Sequence, residues 1–142
     1  MSQVHYLDSH AHLFSEDFKE DFEEMIQRAG EKNVVLLNIM CTSVEEADRA
    51  MAYAETDPAR IKVSCGIFPT DVNELSAVEK KEFWRVMNDP RCTCIGEIGL
   101  DYYWEKDEAM RAKQRELFIE QIELANNIGK PICVHSRDAI QD

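Results

Sequence analysis

The sequence has no long hydrophobic run. No stretch of about 20 apolar residues, the length that crosses a bilayer, occurs among its 142 residues. The first residues, Met1–His5, include no basic patch followed by an apolar segment, so no secretory signal is predicted. Linkers, low-complexity segments and strong repeats are absent too. We therefore expect one domain over residues 1–142, without membrane contact and located in the cytoplasm.

Positive charge is scarce. Sixteen Lys and Arg residues stand against 28 Asp and Glu residues, which gives a net charge of −12, and the basic residues form no stripe. A protein module that only binds nucleic acid normally shows such a basic stripe, so a nucleic-acid-binding module is not favoured. An enzyme that meets phosphates through bound divalent cations stays compatible, because the cations invert the local charge.

The five cysteines follow no disulfide pattern, because their number is odd and their spacing irregular. Cys92 and Cys94 are too close together for a usual zinc knuckle. Cys41, Cys65 and Cys133 lie in or beside apolar runs, where cysteine behaves as a small hydrophobic residue. We expect free thiols in a reducing compartment.

Short apolar runs alternate with longer amphipathic ones. Ser43 is a good N-cap for the second helix, and Gly30 is placed to end the first. The predicted strands are Val4–Leu7, Val34–Met40, Ile61–Gly66, Cys94–Ile98 and Ile132–His135, with helices at about 18–29, 44–54, 77–87 and 108–127 and a further helix beginning within 136–142. This alternation predicts a parallel α/β sheet. Periodicity alone does not separate an open doubly wound sheet from part of a barrel.

Histidines and one carboxylate mark the ends of three predicted strands, where parallel folds collect ligands. His10 and His12 are two residues apart and share one face of a strand, as a metal chelate requires; a surface pair in a turn is the alternative. Glu97 lies between glycines in an apolar strand, where a carboxylate needs a metal or an arginine partner. His135 takes the same topological position on the last strand, although alone it is as compatible with a core histidine.

Together these four side chains offer nitrogen and oxygen ligands that suit Zn, Mn or similar ions. Such a site polarises phosphate oxygens and activates water, so the pattern favours metal-assisted hydrolysis. Rival chemistries find no support, because the sequence has neither a Gly-rich phosphate loop nor a nucleophile elbow.

Four separated motifs resemble those of the TatD family of metal-dependent hydrolases, in the same order and spacing. They are Asp8–Leu13, Ile95–Tyr103, the helix positions Gln114, Phe118, Gln121, Leu124 and Ala125, and Pro131–Ala139. The resemblance runs from about residue 4 to the end of the chain and therefore covers nearly all of it.

The resemblance implies a TIM-like (β/α) barrel and a DNase-type enzyme, often a 3′-to-5′ exonuclease, acting on DNA or another phosphoester with two divalent metal ions (Zn, Mn or Mg). By this analogy His10 and His12 bind one metal, and His135 binds the second. Glu97 bridges both metals and is the catalytic carboxylate. Arg137 contacts a substrate phosphate; an exposed ion pair explains this arginine equally well.

The chain departs from the family pattern in two respects. Phe68 and Thr70 flank Pro69, where the family usually has a histidine before the proline, so a phosphate contact or catalytic hydrogen bond there lacks its usual side chain. The chain is also short, since a full barrel takes around 250 residues and the family's later His and Asp ligands are absent. We predict the first half of a barrel, with open strand edges and an uncovered apolar interior. Such a half barrel is expected to associate with another copy, to associate with a missing half, or to be marginally folded.

Two other interpretations remain open from the sequence. One is a catalytically inactive fragment that acts only structurally, for example as a dimerising piece. The other is an amidohydrolase-like enzyme acting on a small cyclic amide, because His-x-His on a first barrel strand occurs there as well. That enzyme type is expected to carry a carbamylated lysine on a middle strand, whereas Glu97 and its surrounding motif favour the TatD type.

Overall fold

The computed structural model describes residues 4–142 as alternating strands and helices. The strands are β1 (Tyr6–Ala11), β2 (Val34–Cys41), β3 (Ile61–Cys65), β4 (Cys92–Asp101) and β5 (Ile132–Arg137). The α-helices are α1 (Phe22–Glu31), α2 (Val44–Ala54), α3 (Ala77–Asn88) and α4 (Glu108–Ile128), and two short 3-10 helices lie at Glu16–Phe18 and Pro69–Asn73. No helix within residues 4–142 is both long and apolar enough to cross a membrane.

The five strands form one parallel sheet in the order β1-β2-β3-β4-β5, so each strand pairs with the next one along the chain. A doubly wound sheet reverses its strand order at a switch point, and this sheet has no reversal. The order is that of a barrel, and the predicted half barrel is confirmed. All five carboxyl ends meet at one edge, which gathers the residues of the candidate site.

The core lies between the sheet and its helices. Alternate residues of the middle strands are fully buried there, because strand side chains point to opposite faces in turn. The largest contributors are Ile39, Val63, Ile95 and Ile98 from the strands and Met51, Val86 and Met87 from α2 and α3. Each such side chain contributes roughly 1.5–3 kcal/mol by leaving water. Strand β2 was predicted to be buried on both faces, but Leu36 and Asn38 are only partly buried because they lie on the open face of the sheet.

The helix ends follow local sequence signals with one exception. The Ser43 side chain accepts a hydrogen bond from the backbone N–H of Glu46 at 3.2 Å, as its N-cap prediction requires. Gly30 was predicted to end α1, and this is wrong, since the helix runs through it to Glu31. The glycine leaves room for Arg60, whose guanidinium lies 3.2 Å from where a Cβ would be and donates hydrogen bonds to the carbonyls of Ile26 and Val34.

Three strands extend further toward their carboxyl ends than predicted. Strand β1 begins at Tyr6 and includes Asp8 and His10, because pairing with β2 continues as far as Ala11. Strands β4 and β5 remain paired up to the Asp101–Arg137 register. The helix predicted to begin within 136–142 is absent from the described residues, because Ser136 and Arg137 belong to β5 and a bend and a turn follow.

The open side of the sheet is a groove of about 400 Å³. An apolar lining was predicted for it, but the groove is lined by both polar and apolar side chains. Polar side chains from four strands reach into it, among them His10, Asn38, Lys62 and Thr93.

All five cysteines are free, as predicted. Burial raises the pKa values of the Cys41 and Cys65 thiols well above their usual range, so both stay protonated.

Candidate metal centre

Glu97 lies within β4, and close contact between β4 and β5 brings it to His135. Two glycines allow that contact. A Cβ at Gly96 would lie 2.6 Å from the Cβ of Cys133, and a Cβ at Gly99 would lie 2.0 Å from the carbonyl oxygen of His135. Gly99 also has φ 144°, a conformation that side chains rarely adopt. The glycines around the carboxylate therefore serve strand packing, which the sequence did not reveal.

The two carboxylate oxygens of Glu97 face different histidines. Oε2 lies 3.5 Å from Nε2 of His10 and 3.7 Å from Nε2 of His12. Oε1 lies 2.9 Å from Nδ1 of His135. The carboxylate is 17% exposed. The structure thus brings together the four residues that the sequence predicted as ligands, with Glu97 in the middle. The arginine partner considered as the alternative for Glu97 is not found among residues 4–142.

The donor set on one side of Glu97 fits a divalent cation. One ligand atom from each of His10, His12 and Glu97 lies within 4.8 Å of the others. The two imidazole Nε2 atoms are 3.0 Å apart beside the carboxylate, close enough for one cation to contact both. Two neutral imidazoles and one carboxylate are ligands that Zn, Mn and similar ions accept. Both rings are partly exposed, which leaves the centre accessible from solvent.

Asp101 is a member of this centre that the sequence did not identify. It is 1% exposed, and its Oδ2 lies 3.0 Å from Nε2 of His135. A carboxylate that contacts one ring nitrogen orients an imidazole that binds a metal through the other. The other nitrogen, Nδ1, faces the Glu97 carboxylate at 2.9 Å, so the His135 ring lies between two carboxylates. Alternation along β4 was the available signal, since Glu97 and Asp101 are four residues apart on one face.

Helix α4 fixes the backbone beneath the centre through two buried glutamines. The side-chain amide of Gln114 accepts from the N–H of Asp101 at 2.9 Å and donates to its carbonyl at 3.2 Å. Gln121 forms the same pair of hydrogen bonds with Ile67, at 2.7 and 3.2 Å. Both were noted in the sequence only as part of a helix motif. Their position on the buried face of α4, seven residues apart with Leu117 between them, is the signal that could have revealed them.

Phe68 and Arg137 lie on either side of His135. The Phe68 ring packs edge-on against the imidazole with 4.5 Å between the ring centroids. An aromatic hydrocarbon therefore borders His135 where the family usually has a histidine. Arg137 is exposed at the end of β5 and makes no ion pair within residues 4–142; its guanidinium lies 4.0 Å from the centroid of the Tyr103 ring. The ion-pair alternative for Arg137 is therefore not observed.

The comparisons with known proteins agree with this architecture. Residues 7–142 match the model of the TatD related DNase family. The chain belongs to this family. It is 33% identical over 135 residues to the uncharacterized metal-dependent hydrolase YabD of Bacillus subtilis, and the alignment covers 95% of this chain and 52% of YabD. It is 32% identical over 127 residues to the 3′-5′ ssDNA/RNA exonuclease TatD of Cronobacter turicensis, and this alignment covers 89% of this chain and 47% of that enzyme.

Solved structures of the TatD type give the same fold. The crystal structure of YJJV, a TatD homologue from Escherichia coli K12, superimposes with a TM-score of 0.78 at 27% identity, covering 94% of this chain and 51% of YJJV. A TatD family hydrolase from Entamoeba histolytica gives a TM-score of 0.80 at 21% identity, which shows the fold alone. The chain spans about half the length of the relatives it matches. The predicted family and the half-barrel fold are thus confirmed.

Proposed function

We propose that this chain supplies four ligands of a two-metal phosphodiesterase centre. His10 and His12 would hold one metal, His135 would hold the second, and Glu97 would be shared between them. The observation that carries this proposal is the division of the Glu97 oxygens, with Oε2 toward His10 and His12 and Oε1 toward His135. A single carboxylate that faces two separate sets of nitrogen ligands is what a bridging role requires.

The chemistry of such a centre is Lewis-acid catalysis, in which two cations polarise a phosphoryl oxygen and neutralise charge that develops on the attacked phosphodiester. The protein's part is to hold the ligands in place beforehand. Asp101 keeps the proton of His135 on Nε2, so that Nδ1 is free to bind. Glu97 is held between its histidines, and α4 fixes the backbone of β4 through Gln114.

The substrate we propose is the phosphodiester backbone of DNA or RNA, cleaved from the 3′ end. Support comes from the family description and from the Cronobacter relative, which is named as a 3′-5′ exonuclease on single-stranded DNA and RNA. Bound cations offset the net charge of −12 that otherwise repels a polyanion. The five free thiols support our further proposal that the protein works in the reducing cytoplasm.

We also propose that two copies of this 142-residue chain associate through their outer strands. β1 and β5 have unpaired edges within the described sheet, and apolar side chains are exposed on both, with Leu7 68% exposed on β1 and Val134 52% exposed on β5. A two-fold axis along the barrel would pair β1 of each copy with β5 of the other while keeping all strands parallel. Both pairs of edges would then be covered.

The test is a Mn²⁺-dependent nuclease assay on a 3′-labelled single-stranded oligonucleotide. Glu97→Gln keeps the size of the side chain but removes the charge that a bridging ligand needs. We expect its rate to fall more than about 100-fold, beyond the 10- to 100-fold typical of residues that only support a ligand. Glu116→Gln is the matched control, because Glu116 is exposed on α4 far from the histidines in sequence and makes no ion pair in the described structure.

The comparison with the control decides between the enzyme and an inert chain. Cleavage that vanishes in Glu97→Gln and persists in Glu116→Gln supports the proposed centre. Cleavage by the wild-type chain that is no faster than by Glu97→Gln would instead favour the inactive, purely structural fragment.

A further inference from the structure

Three consecutive aromatic residues follow β4 and divide between the core and the surface. Tyr102 is 6% exposed, and its hydroxyl donates to Oδ2 of Asp142 at 2.7 Å. Tyr103 and Trp104 point outward and are 44% and 67% exposed. Their rings meet edge to face with centroids 4.6 Å apart. Two large aromatic rings therefore remain in solvent beside the metal centre, where hydrophobic burial does not explain them.

Arg137 lies against these two rings. Its guanidinium carbon is 4.0 Å from the Tyr103 centroid and 5.6 Å from the Trp104 centroid. The exposed Arg85 and Arg91 bind the carboxylates of Asp48 and Glu55, whereas the exposed Arg49 lies over the Phe14 ring, as Arg137 lies over the Tyr103 ring. Arg137 has no carboxylate partner in the part of the chain that the structure describes. Its N–H groups are therefore available to an external anion.

Asp101 connects this surface cluster to the metal centre. Its Oδ1 accepts hydrogen bonds from the backbone N–H groups of Tyr103 and Trp104, at 3.1 and 3.3 Å, while its Oδ2 faces His135. Arg137 follows His135 by two residues on β5, so both side chains leave the same face about 7 Å apart along the strand. The cluster is thus held in place by the same carboxylate that orients a candidate ligand.

We infer that Tyr103, Trp104 and Arg137 form a subsite for one unpaired nucleobase and its phosphate in a single-stranded nucleic acid. This inference rests on the proposed function. The exposed Trp104 ring offers a face that stacks on a base of any identity, and the Arg137 guanidinium, held over the Tyr103 ring, binds the phosphate. Lys106, with its Nζ 5.7 Å from the Tyr103 centroid, adds positive charge to the cluster. Duplex DNA keeps its base faces stacked internally, so the subsite selects single strands.

The two tryptophans make a direct test available. In the Trp84→Phe variant all tryptophan fluorescence comes from Trp104. In the Trp104→Phe variant it comes from Trp84, which lies on α3 beside Lys80. Each variant is titrated with a six-nucleotide phosphorothioate oligothymidine, which resists cleavage, in Mn²⁺ and again in EDTA. We expect saturable quenching of Trp104 emission and no change in Trp84 emission. Quenching of both, or of neither, overturns the subsite.

Affinity measured by anisotropy of the labelled oligothymidine separates the base from the phosphate. Trp104→Ala should weaken binding about 5- to 150-fold, the usual effect of losing one stacked base. Arg137→Gln should weaken binding and lower the slope of log affinity against log salt by about 0.7, as expected for one lost phosphate contact on a single strand. Binding within twofold of wild type in both variants, or equal binding of an abasic oligonucleotide, contradicts the inference.

The outcome is independent of catalysis. Oligothymidine that quenches Trp104 without any cleavage of the unmodified strand in Mn²⁺ would support the subsite and refute the phosphodiesterase proposal. Cleavage that depends on Glu97 without any quenching of Trp104 fluorescence would support the phosphodiesterase proposal and refute the subsite.

Discussion

At the scale of single residues, the centre depends on how one carboxylate is shared among three imidazoles. The pairing of His10 with His12 follows from their spacing in the sequence, and the structure brings their Nε2 atoms to 3.0 Å. Neither ring is needed for the core, because both are more than one-third exposed. Substitution of these two residues therefore separates metal binding from folding.

His10→Ala combined with His12→Ala should abolish tight Mn²⁺ or Zn²⁺ binding at the first site and leave the far-UV circular dichroism unchanged. The reason is that the remaining ligand, Glu97, offers only carboxylate oxygens on that side. Isothermal titration calorimetry measures the loss. His5→Ala is the control, because His5 is exposed just before β1 and lies outside the donor set. Wild-type affinity in the double variant would refute the assignment of His10 and His12.

Asp101→Asn tests the orientation of His135. The amide keeps the volume of the side chain but no longer fixes the imidazole proton on Nε2, so a smaller share of the rings has a free Nδ1. We expect Mn²⁺ affinity at the second site to fall about 10- to 100-fold, the usual effect of removing a partner of a metal ligand. Calorimetry beside Asp17→Asn, an exposed aspartate before α1, supplies the comparison. Two sites of unchanged affinity in Asp101→Asn would show that the hydrogen bond has no positioning role.

The candidate ligands were easier to propose from the sequence than the residues that support them. His10, His12 and Glu97 could be found because histidines and an apolar-strand carboxylate are unusual at strand ends. Asp101 was overlooked because an aspartate at the end of a strand commonly begins a turn. The local sequence also does not show that this β4 side chain contacts His135 on β5. Contacts between residues 34 positions apart depend on strand register, which the sequence pattern alone does not fix.

At the scale of secondary-structure elements, α4 anchors two strands through polar side chains on its buried face. The bounds of α4 were predicted closely, because Asp107 caps its start and Gly129, with φ 68°, ends it. Gln114 and Gln121 entered the sequence analysis only as positions of the TatD-like motif, and their burial was not predicted. Apolar periodicity selects hydrophobic residues, so it overlooks buried amides that satisfy backbone groups.

Gln114→Leu should lower the free energy of unfolding by about 1–3 kcal/mol. The leucine fills the space, but the N–H and carbonyl of Asp101 lose their partners in a buried position. Urea unfolding followed by circular dichroism should show a lower midpoint with an unchanged slope. Gln27→Leu on the exposed side of α1 is the control, because its amide bonds only to the surface residue Glu31. Equal midpoints for the two variants would contradict the role of Gln114 as a backbone anchor.

At the scale of the whole molecule, the chain forms a sheet with the strand order of a barrel and two free edges. Chain length and the resemblance to the TatD family predicted the half barrel correctly. The mixed lining of its open groove was not predicted, because the inward positions of β2, β3 and β4 read as parts of apolar runs until strand register shows which side chains point inward. The sequence carries no separate signal for what covers the edges of β1 and β5.

Association through the outer strands predicts a concentration-dependent mass above the 16.4 kDa of one chain. Leu7→Lys should shift the equilibrium toward the monomer, because a charge on the β1 edge opposes pairing with β5 of the other copy. Val78→Lys is the matched control, since Val78 is 72% exposed on α3 and lies on neither outer strand. Sedimentation equilibrium distinguishes the outcomes. A wild-type mass of 16.4 kDa at every concentration, or equal dissociation by both lysines, would show that copies of this chain do not close the sheet through β1 and β5.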